Sequence, residues 1–326
     1  MKIFSQLIFA FVCVSILSIW SLSYWANYSI FTIPKYILLF LPRWWLIVVV
    51  LFLLTFWRHF NKAQLYILPL LIIGSLQYLD FQIPSVNIGD KAKVDQMKII
   101  TINMGEGSRI SSLKRLVDYY EPDILLIQEI SEWHLKGIFD DYWGVDCDSG
   151  LCIASKMPFE RIHTFDRRMI GGWGNFAAIY HVDTSEGIIN LVNVHFETPR
   201  QILLEILKRG RMSYLSKNKD ENRQLEPSLL NREIAGLKNV IVAGDFNMPV
   251  DDIEYRRNFS WLTDAFNQKG FGLNHTQYIE WEGIPFLSFR IDHILFSDSF
   301  DIGEVDVLGG LGGDHRPILA TFSFSE

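Results

Sequence analysis

Charge is what the start of this sequence lacks. Between Lys2 and Lys35 there is no Asp, Glu, Lys or Arg. A run of that length without charge does not suit the wetted surface of a globular domain. Residues 7–26 alone are long enough to cross a bilayer, which takes roughly 20 residues. Residues 36–57 are apolar apart from Arg43, most strongly over WWLIVVVLFLLTFW, and residues 63–79 form a shorter uncharged stretch containing Pro69. Trp20, Tyr24, Trp25, Trp44, Trp45 and Trp57 lie near the ends of these runs, where an interfacial aromatic belt would put them. The reading is three membrane spans within residues 1–83, with Arg43 snorkelling to the interface. A signal peptide followed by buried helices is the alternative. It does not explain the second and third runs, and no small-x-small cleavage site follows the first. A two-span arrangement, with the third stretch on the membrane surface, also remains open.

Basic residues orient the spans. Three spans put Lys2, Arg58 and Lys62 on one side and Lys35 and Arg43 on the other. The tight Arg58–Lys62 loop is then cytoplasmic by the positive-inside rule, and the C-terminal domain lies outside the cytoplasm. For a bacterial protein this means the inner (plasma) membrane.

Cysteine is scarce, with three residues in 326, which excludes a disulfide-built scaffold. Cys13 falls in the first apolar run. Cys147 and Cys152 flank a turn-like Asp-Ser-Gly, and either a disulfide or two free thiols fits that spacing. No second Cys/His pair is near enough to complete a zinc site.

Basic clusters are also missing from the remainder. Residues 91–326 hold 25 of the 30 Lys and Arg but 35 of the 37 Asp and Glu, a net charge of about −10. Such a domain repels polyanions, which argues against tight non-specific nucleic-acid binding. It does not argue against chemistry on a single phosphate. There are no internal repeats and no low-complexity tract.

What the sequence does contain is a polar linker over 84–96, then short strand-like runs alternating with helical periodicity. Residues 97–103, 123–128, 151–155, 176–182, 188–195, 239–243, 289–296 and 318–322 have the β-branched or alternating pattern of strands. Residues 111–120, 201–207 and 229–237 have helical spacing, and 208–223 has the basic, polar composition of a mobile insertion. Many short strands with few helices predict two packed sheets flanked by helices over 97–326, an α+β or α/β sandwich.

Five apolar strands end abruptly in polar residues: ITIN ending at Asn103, ILLIQE at Glu129, LVNVHFET around His195, VIVAGDFNMP around Asp245 and Asn247, and a final pair, FRIDHIL and GGDHRP. Singly, Asn103, Glu129 or His195 reads as a solvated or structural strand end. In Gly-Asp-Phe-Asn, Gly244 permits a sharp turn. Asp245 and Asn247 alternate, so an extended backbone aims both at one volume. In the final pair, Arg290 and Asp292 share a face with His293 opposite, and a glycine-rich loop presents Asp314 and His315. Hard oxygen ligands at Glu129 and Asp314 suit Mg²⁺ or Mn²⁺. A carboxylate beside a His charges and orients it, and amide and imidazole donors can hold phosphoryl oxygens. No P-loop, Gly-x-Ser-x-Gly elbow or His-Glu-x-x-His is present, and the corresponding enzyme classes lose support.

In order and distance these clusters resemble the endonuclease/exonuclease/phosphatase superfamily, over about residues 97–324. Gly-Asp-Phe-Asn and Gly-Asp-His-Arg-Pro are the most specific segments. The resemblance implies a four-layer α/β/β/α sandwich. It implies metal contacts at Asn103, Glu129 and Asp314, with Glu129 the principal ligand. His195 would contact phosphate or help the leaving group depart. Asp245 and Asn247 would orient the attacking water, and Asp292 would pair with His315, which acts as general base or phosphate clamp. Phosphate contacts then fall to Asn103, His195, Asn247 and His315. The apolar N-terminus is not part of the superfamily core; it resembles a subset of bacterial members.

The expected activity is metal-dependent phosphoester hydrolysis, foremost on a phosphodiester (nucleic acid or phospholipid headgroup). A phosphomonoesterase on a small or inositol-type phosphate is the alternative, and a non-catalytic membrane binding protein a third reading. The expected partners are the substrate and the membrane, and nothing in the sequence points to an obligate protein partner.

Overall fold

The computed structural model describes residues 1–25, 29–85, 96–105, 108–281 and 284–325. The linker expected over 84–96 falls almost wholly outside the described residues. The chain forms two compact units: Met1–Phe81 with Val250–Ile253, and Gln82–Pro249 with Glu254–Glu326.

The first unit is helical. Lys2–Trp20 is 19 residues long, with a mean hydropathy of 2.2 over its most apolar window. The second expected span is broken: Thr32–Phe40 and Trp44–Leu54 meet at a bend of 76°. Pro42 explains the break, because the residue before a proline is pushed out of the helical region. Leu41 accordingly has φ −92° and ψ 167°. The third, Lys62–Tyr78, has 17 residues and carries Pro69 inside it. At about 1.5 Å per residue it falls short of a hydrocarbon core about 30 Å thick. Among the described residues one helix is therefore long and apolar enough to span a membrane, or two if the bent pair acts as one, not three. Asn61 caps the last helix through a reciprocal pair with Gln64. Gly74 lets that helix approach the first, since a Cβ there would sit 3.0 Å from Ile16 Cγ2. Arg43 does not snorkel: it is buried, its Nη1 donating to the Tyr78 carbonyl at 3.0 Å and its Nη2 to that of Leu39 at 3.2 Å.

Among the described residues the second unit has fourteen strands. They are β1 (Met97–Asn103), β2 (Ile124–Gln128), β3 (Gly144–Asp148), β4 (Leu151–Ser155), β5 (Phe159–Asp166), β6 (Asn175–Thr184) and β7 (Gly187–His195). The rest are β8 (Val240–Asp245), β9 (Thr263–Asp264), β10 (Gln277–Trp281), β11 (Ile284–Phe289), β12 (Asp292–Phe296), β13 (Phe300–Val307) and β14 (Ile318–Phe324). One six-stranded sheet has the order β13-β14-β1-β2-β4-β3, the other β5-β6-β7-β8-β12-β9, and β10-β11 is a separate hairpin.

Alternation along the strands builds the layers. Ile99, Ile124, Leu126, Leu151 and Ile153 of the first sheet share a core with Ala178, Tyr180, Leu191, Ile241, Ala243 and Ile294 of the second. Their sequence neighbours Ile100, Leu125, Ile127, Cys152 and Ala154 face the other way, against Leu113, Leu116 and Val117 of the helix Ile110–Tyr120. Cys147 and Cys152 form a disulfide across the β3–β4 hairpin.

The stretch 208–223 is not a loose insertion. After the helix Arg200–Arg209, Ser213 caps a helix that runs unbroken from Tyr214 to Ile234. Its run of charged residues hides a buried face that includes Asn222, Arg223 and Glu226.

Candidate active site

Parallel pairing gathers the polar strand ends. β1 and β2 run parallel with Asn103 opposite Gln128, so Glu129 emerges one residue further at the same edge. β7 and β8 run parallel with His195 opposite Asp245. β12 is antiparallel to β8 with Asp292 opposite Asp245, so its first residue reaches that edge too. Two sheets packed on one core thereby deliver five of the expected residues to one end of the sandwich.

Three of them, Glu129, His195 and Asp245, border a cavity of about 170 Å³ whose wall also includes Gly105, Thr198, Arg200, Asn247, Gln277, Asp314 and His315. A larger cavity, about 430 Å³, opens at the opposite strand ends, among Gln96, Asp123, Asp183 and Glu186. It holds none of the chemistry-bearing residues, and the smaller cavity is the candidate site.

Asp245 is its centre. Its Oδ1 accepts the Asn247 backbone N–H at 2.8 Å, and its Oδ2 accepts Nδ2 of Asn103 at 2.9 Å and of Asn247 at 3.1 Å. Burial and the Asp292 charge raise its pKa above the ordinary carboxylate range, against the pull of His315. Asn247 does not continue an extended strand as expected. It has φ +52°, and its amide folds back to donate to Asp245 and, at 2.9 Å, to the Phe196 carbonyl.

His315 Nδ1 lies 2.9 and 3.1 Å from the two oxygens of Asp292, and its Nε2 lies 3.9 Å from Asp245 Oδ2. Burial alone would lower its pKa; the charges of Asp292 and Asp245 outweigh that and push it up to about 10. His195 shifts the other way. Burial, with the nearby charges of Arg167 and His315, lowers it to about 3, which leaves a neutral imidazole at pH 7. Its Nε2 lies 3.3 Å from Glu129 Oε1 and 3.8 Å from Asp245 Oδ2.

Two groups could hold a cation. Ligand atoms of Asp245, Asp292 and His315 lie within 4.8 Å of one another. Those groups, however, already satisfy each other and the two asparagines. Glu129 is a better fit to a hard cation. Its side chain is 42% exposed, and it takes one hydrogen bond from Asn103, at 3.0 Å. Gly105 leaves its carboxylate room, since a Cβ there would stand 2.6 Å from Glu129 Oε2. Asp314 offers a second carboxylate on the cavity wall, 3.5 Å from Arg200 Nη2. Asn103 is not on that wall. Its Oδ1 accepts the Gly105 N–H at 2.8 Å, so it orients carboxylates rather than presenting an oxygen to a ligand.

Arg290 departs from expectation. It does not share a face with Asp292; its Nη1 pairs with Asp264 at 2.7 Å and lies 3.3 Å from His293 Nδ1, away from the cavity. Thr198, Arg200 and Gln277 also line the cavity. Gln277 lies on the hairpin, its side-chain nitrogen 3.2 Å from His315 Nε2, and no motif marks it. Thr198 and Arg200 follow His195 within five residues, a proximity that could have flagged them.

No curated protein matches the sequence. Among solved structures, a 3' phosphatase from Neisseria bound to a product DNA hairpin superimposes with a TM-score of 0.53 at 20% identity, covering 71% of this chain and all of that one. A mannosyl-6-phosphatase from Bacteroides thetaiotaomicron gives 0.52 at 17% identity, covering 70% of this chain and 100% of that one. A humanized TDP2 from D. rerio gives 0.52 at 16% identity, covering 70% and 99%. At these identities the likeness is one of fold. The sequence itself matches the Endonuclease/Exonuclease/phosphatase family over residues 100–315, and the chain belongs to that family.

Proposed function

We propose that the protein is a membrane-anchored, divalent-metal-dependent phosphoester hydrolase acting foremost on phosphodiesters. The observation that carries this reading is the convergence of Glu129, Asp245, Asn247, Asp314 and His315 on one small cavity, with Asp292 charging His315 from behind. In the proposed arrangement helices cover both outer faces, the four-layer form of the family.

Mg²⁺ or Mn²⁺, held by Glu129 and Asp314, would supply charge neutralisation at the phosphoryl oxygens. The chain's own residues do the rest. Asp245, with a raised pKa in a buried pocket, orients water and takes its proton. His315, kept cationic, donates to a phosphoryl oxygen where negative charge builds. Asn247 steadies Asp245, and Asn103 links Asp245 to Glu129. His195 enters as a neutral donor near the departing oxygen.

A cavity of about 170 Å³ accommodates one phosphate and little else, so most of a larger substrate lies outside it. That favours recognition at the rim and keeps the monoester reading open. The proposed anchor is the helix Lys2–Trp20; as a single span with Lys2 on the cytoplasmic side, it puts the catalytic domain outside the cytoplasm. The Cys147–Cys152 disulfide suits an oxidising compartment.

Full-length protein in detergent should hydrolyse bis-p-nitrophenyl phosphate with Mg²⁺ or Mn²⁺, and EDTA should stop it. Asp245→Ala and His315→Ala should each lower kcat by about 10²-fold or more. Undiminished turnover in either variant would overturn the mechanism. Plasmid DNA, phospholipids and sugar or inositol phosphates, assayed side by side, separate the diester and monoester readings. Protease access in intact cells tests the outside placement.

A further inference from the structure

Behind the cavity, buried charge grips the backbone of the segments that carry the site. Arg167 follows β5 and lies in the short helical turn Arg167–Ile170. Its Nε donates to Glu226 Oε1 at 2.7 Å, its Nη1 to the Asn175 carbonyl at 3.2 Å, and its Nη2 to the His195 carbonyl. Glu226, fully enclosed in the helix Tyr214–Ile234, accepts the Glu197 N–H on Oε2 at 2.7 Å. One turn earlier Arg223 donates from Nη1 to the carbonyls of Glu197 at 2.7 Å and Asn247 at 3.0 Å. None of the three lines the cavity.

Apolar side chains of similar volume would cover this face without the cost of burying charge. What charge adds is direction. His195 closes β7, and past it, at residues 196–197 and at 247, the chain has left the strands, so carbonyls and N–H groups there need other partners. Asn247 Nδ2 ties the two segments together from the site side, through the Phe196 carbonyl. Arg223 ties the same two segments from behind.

We propose that Arg167, Glu226 and Arg223 are positioning residues: they fix the His195 ring and the Asn247 amide by holding the backbone of both segments. This rests on the reading of the cavity as a hydrolytic site. It gives the helix Tyr214–Ile234 a catalytic-support function that its polar sequence concealed.

The test uses full-length protein in detergent with two conservative variants. Glu226→Gln keeps the size but leaves one acceptor oxygen where two are used. Arg223→Lys keeps the charge but replaces the planar fork with a single ammonium. Activity on bis-p-nitrophenyl phosphate is expressed per folded molecule, from the thermal unfolding amplitude. The His195 ring signal, assigned with His195→Ala, is followed by NMR without substrate. We expect kcat to fall about 10- to 100-fold with KM changed less than about threefold, since a small misplacement of catalytic groups costs that much. The His195 signal should move in Glu226→Gln. Folded variants with kcat within about twofold of wild type and an unmoved His195 signal would overturn the proposal. So would activity lost only in proportion to folded protein, or failure of both variants to fold, which a purely structural ion pair would give. If the wild type hydrolyses no phosphoester, the hydrolase reading fails, and the His195 signal still tests the positioning claim.

Discussion

The Asp292 carboxylate meets His315 Nδ1 at 2.9 Å, although the two residues are 23 positions apart and sit on segments that feed different sheets. Asp292 opens β12 in one sheet, and His315 stands three residues before β14 in the other. Both are buried, and both reach the end of the sandwich where β1, β2, β7 and β8 finish. The pair therefore joins the two layers at the site, and it sets the charge of the imidazole there.

Removing that charge should move the pH profile. His315 is held up at about 10 because Asp292 and Asp245 outweigh the effect of burial. In Asp292→Asn one of the two charges is gone, and burial draws the pKa back toward an ordinary His value near ~6.5. The alkaline limb of kcat/KM should then move to lower pH, with a loss of about tenfold or more at pH 8 and a smaller loss at pH 6. An unmoved limb would rule out a cationic His315. The linked stability has a definite sign. A raised folded pKa contributes stability that is complete below about 6.5 and lost as pH climbs toward 10. The thermal deficit of the variant should shrink over that same window.

Which parts of this arrangement were legible beforehand follows from burial. β1, β2 and β4 are fully or mostly enclosed, their apolar runs are unbroken, and sequence alone places them within a residue. β3, β5, β9 and β13 were missed, and each lies at the end of its sheet; the separate pair β10–β11 was missed too. An edge strand needs few apolar residues, and charge along it discourages pairing with other chains. Phe-Glu-Arg-Ile-His-Thr-Phe-Asp, half of it exposed, has no run to detect. Among the candidate site residues, Asn103, Glu129, His195 and Asp245 were legible because each ends an apolar strand or follows it at once, and Asp292, Asp314 and His315 because each opens one or stands just before it. Arg167, Arg223 and Glu226 were not, because they act through backbone contacts across 28, 26 and 29 positions that no local pattern encodes.

Gly105 offers a test of the cation site that leaves the fold alone. A Cβ at this position would lie 2.6 Å from Glu129 Oε2 and 3.1 Å from Asn103 Oδ1. The Glu129 carboxylate is the free end of a flexible side chain and can swing away, so Gly105→Ala should unfold within a few degrees of wild type. The displaced carboxylate would no longer stand where Asn103 holds it. The Mg²⁺ or Mn²⁺ concentration for half-maximal activity should rise by about 10-fold or more, in line with changes to groups that orient metal ligands. An unchanged metal requirement would remove Glu129 from the cation site.

The pair Arg290–Asp264 should govern stability in acid. Arg290 is wholly enclosed, and its Nη1 reaches the two Asp264 oxygens at 2.9 and 2.7 Å. Asp264 also accepts the Tyr255 hydroxyl at 2.7 Å and the Phe266 N–H at 2.9 Å. Burial would raise the Asp264 pKa; the Arg290 charge, helped by His293 and Tyr255, holds it far below the usual range. A depressed folded pKa gives stability that is present above the unfolded value, about 3.9, and is lost as pH falls toward the folded one. Arg290→Met leaves the Asp264 charge buried without its cation and should cost about 3–5 kcal/mol at pH 7. In that variant Asp264 takes up its proton at higher pH, which relieves the penalty. The gap between variant and wild type, read from thermal unfolding in detergent, should therefore narrow between pH 7 and pH 4. A gap that stays constant over that range would show that Arg290 stabilises the fold by packing over Phe266, 5.4 Å from its guanidinium, and not through its charge.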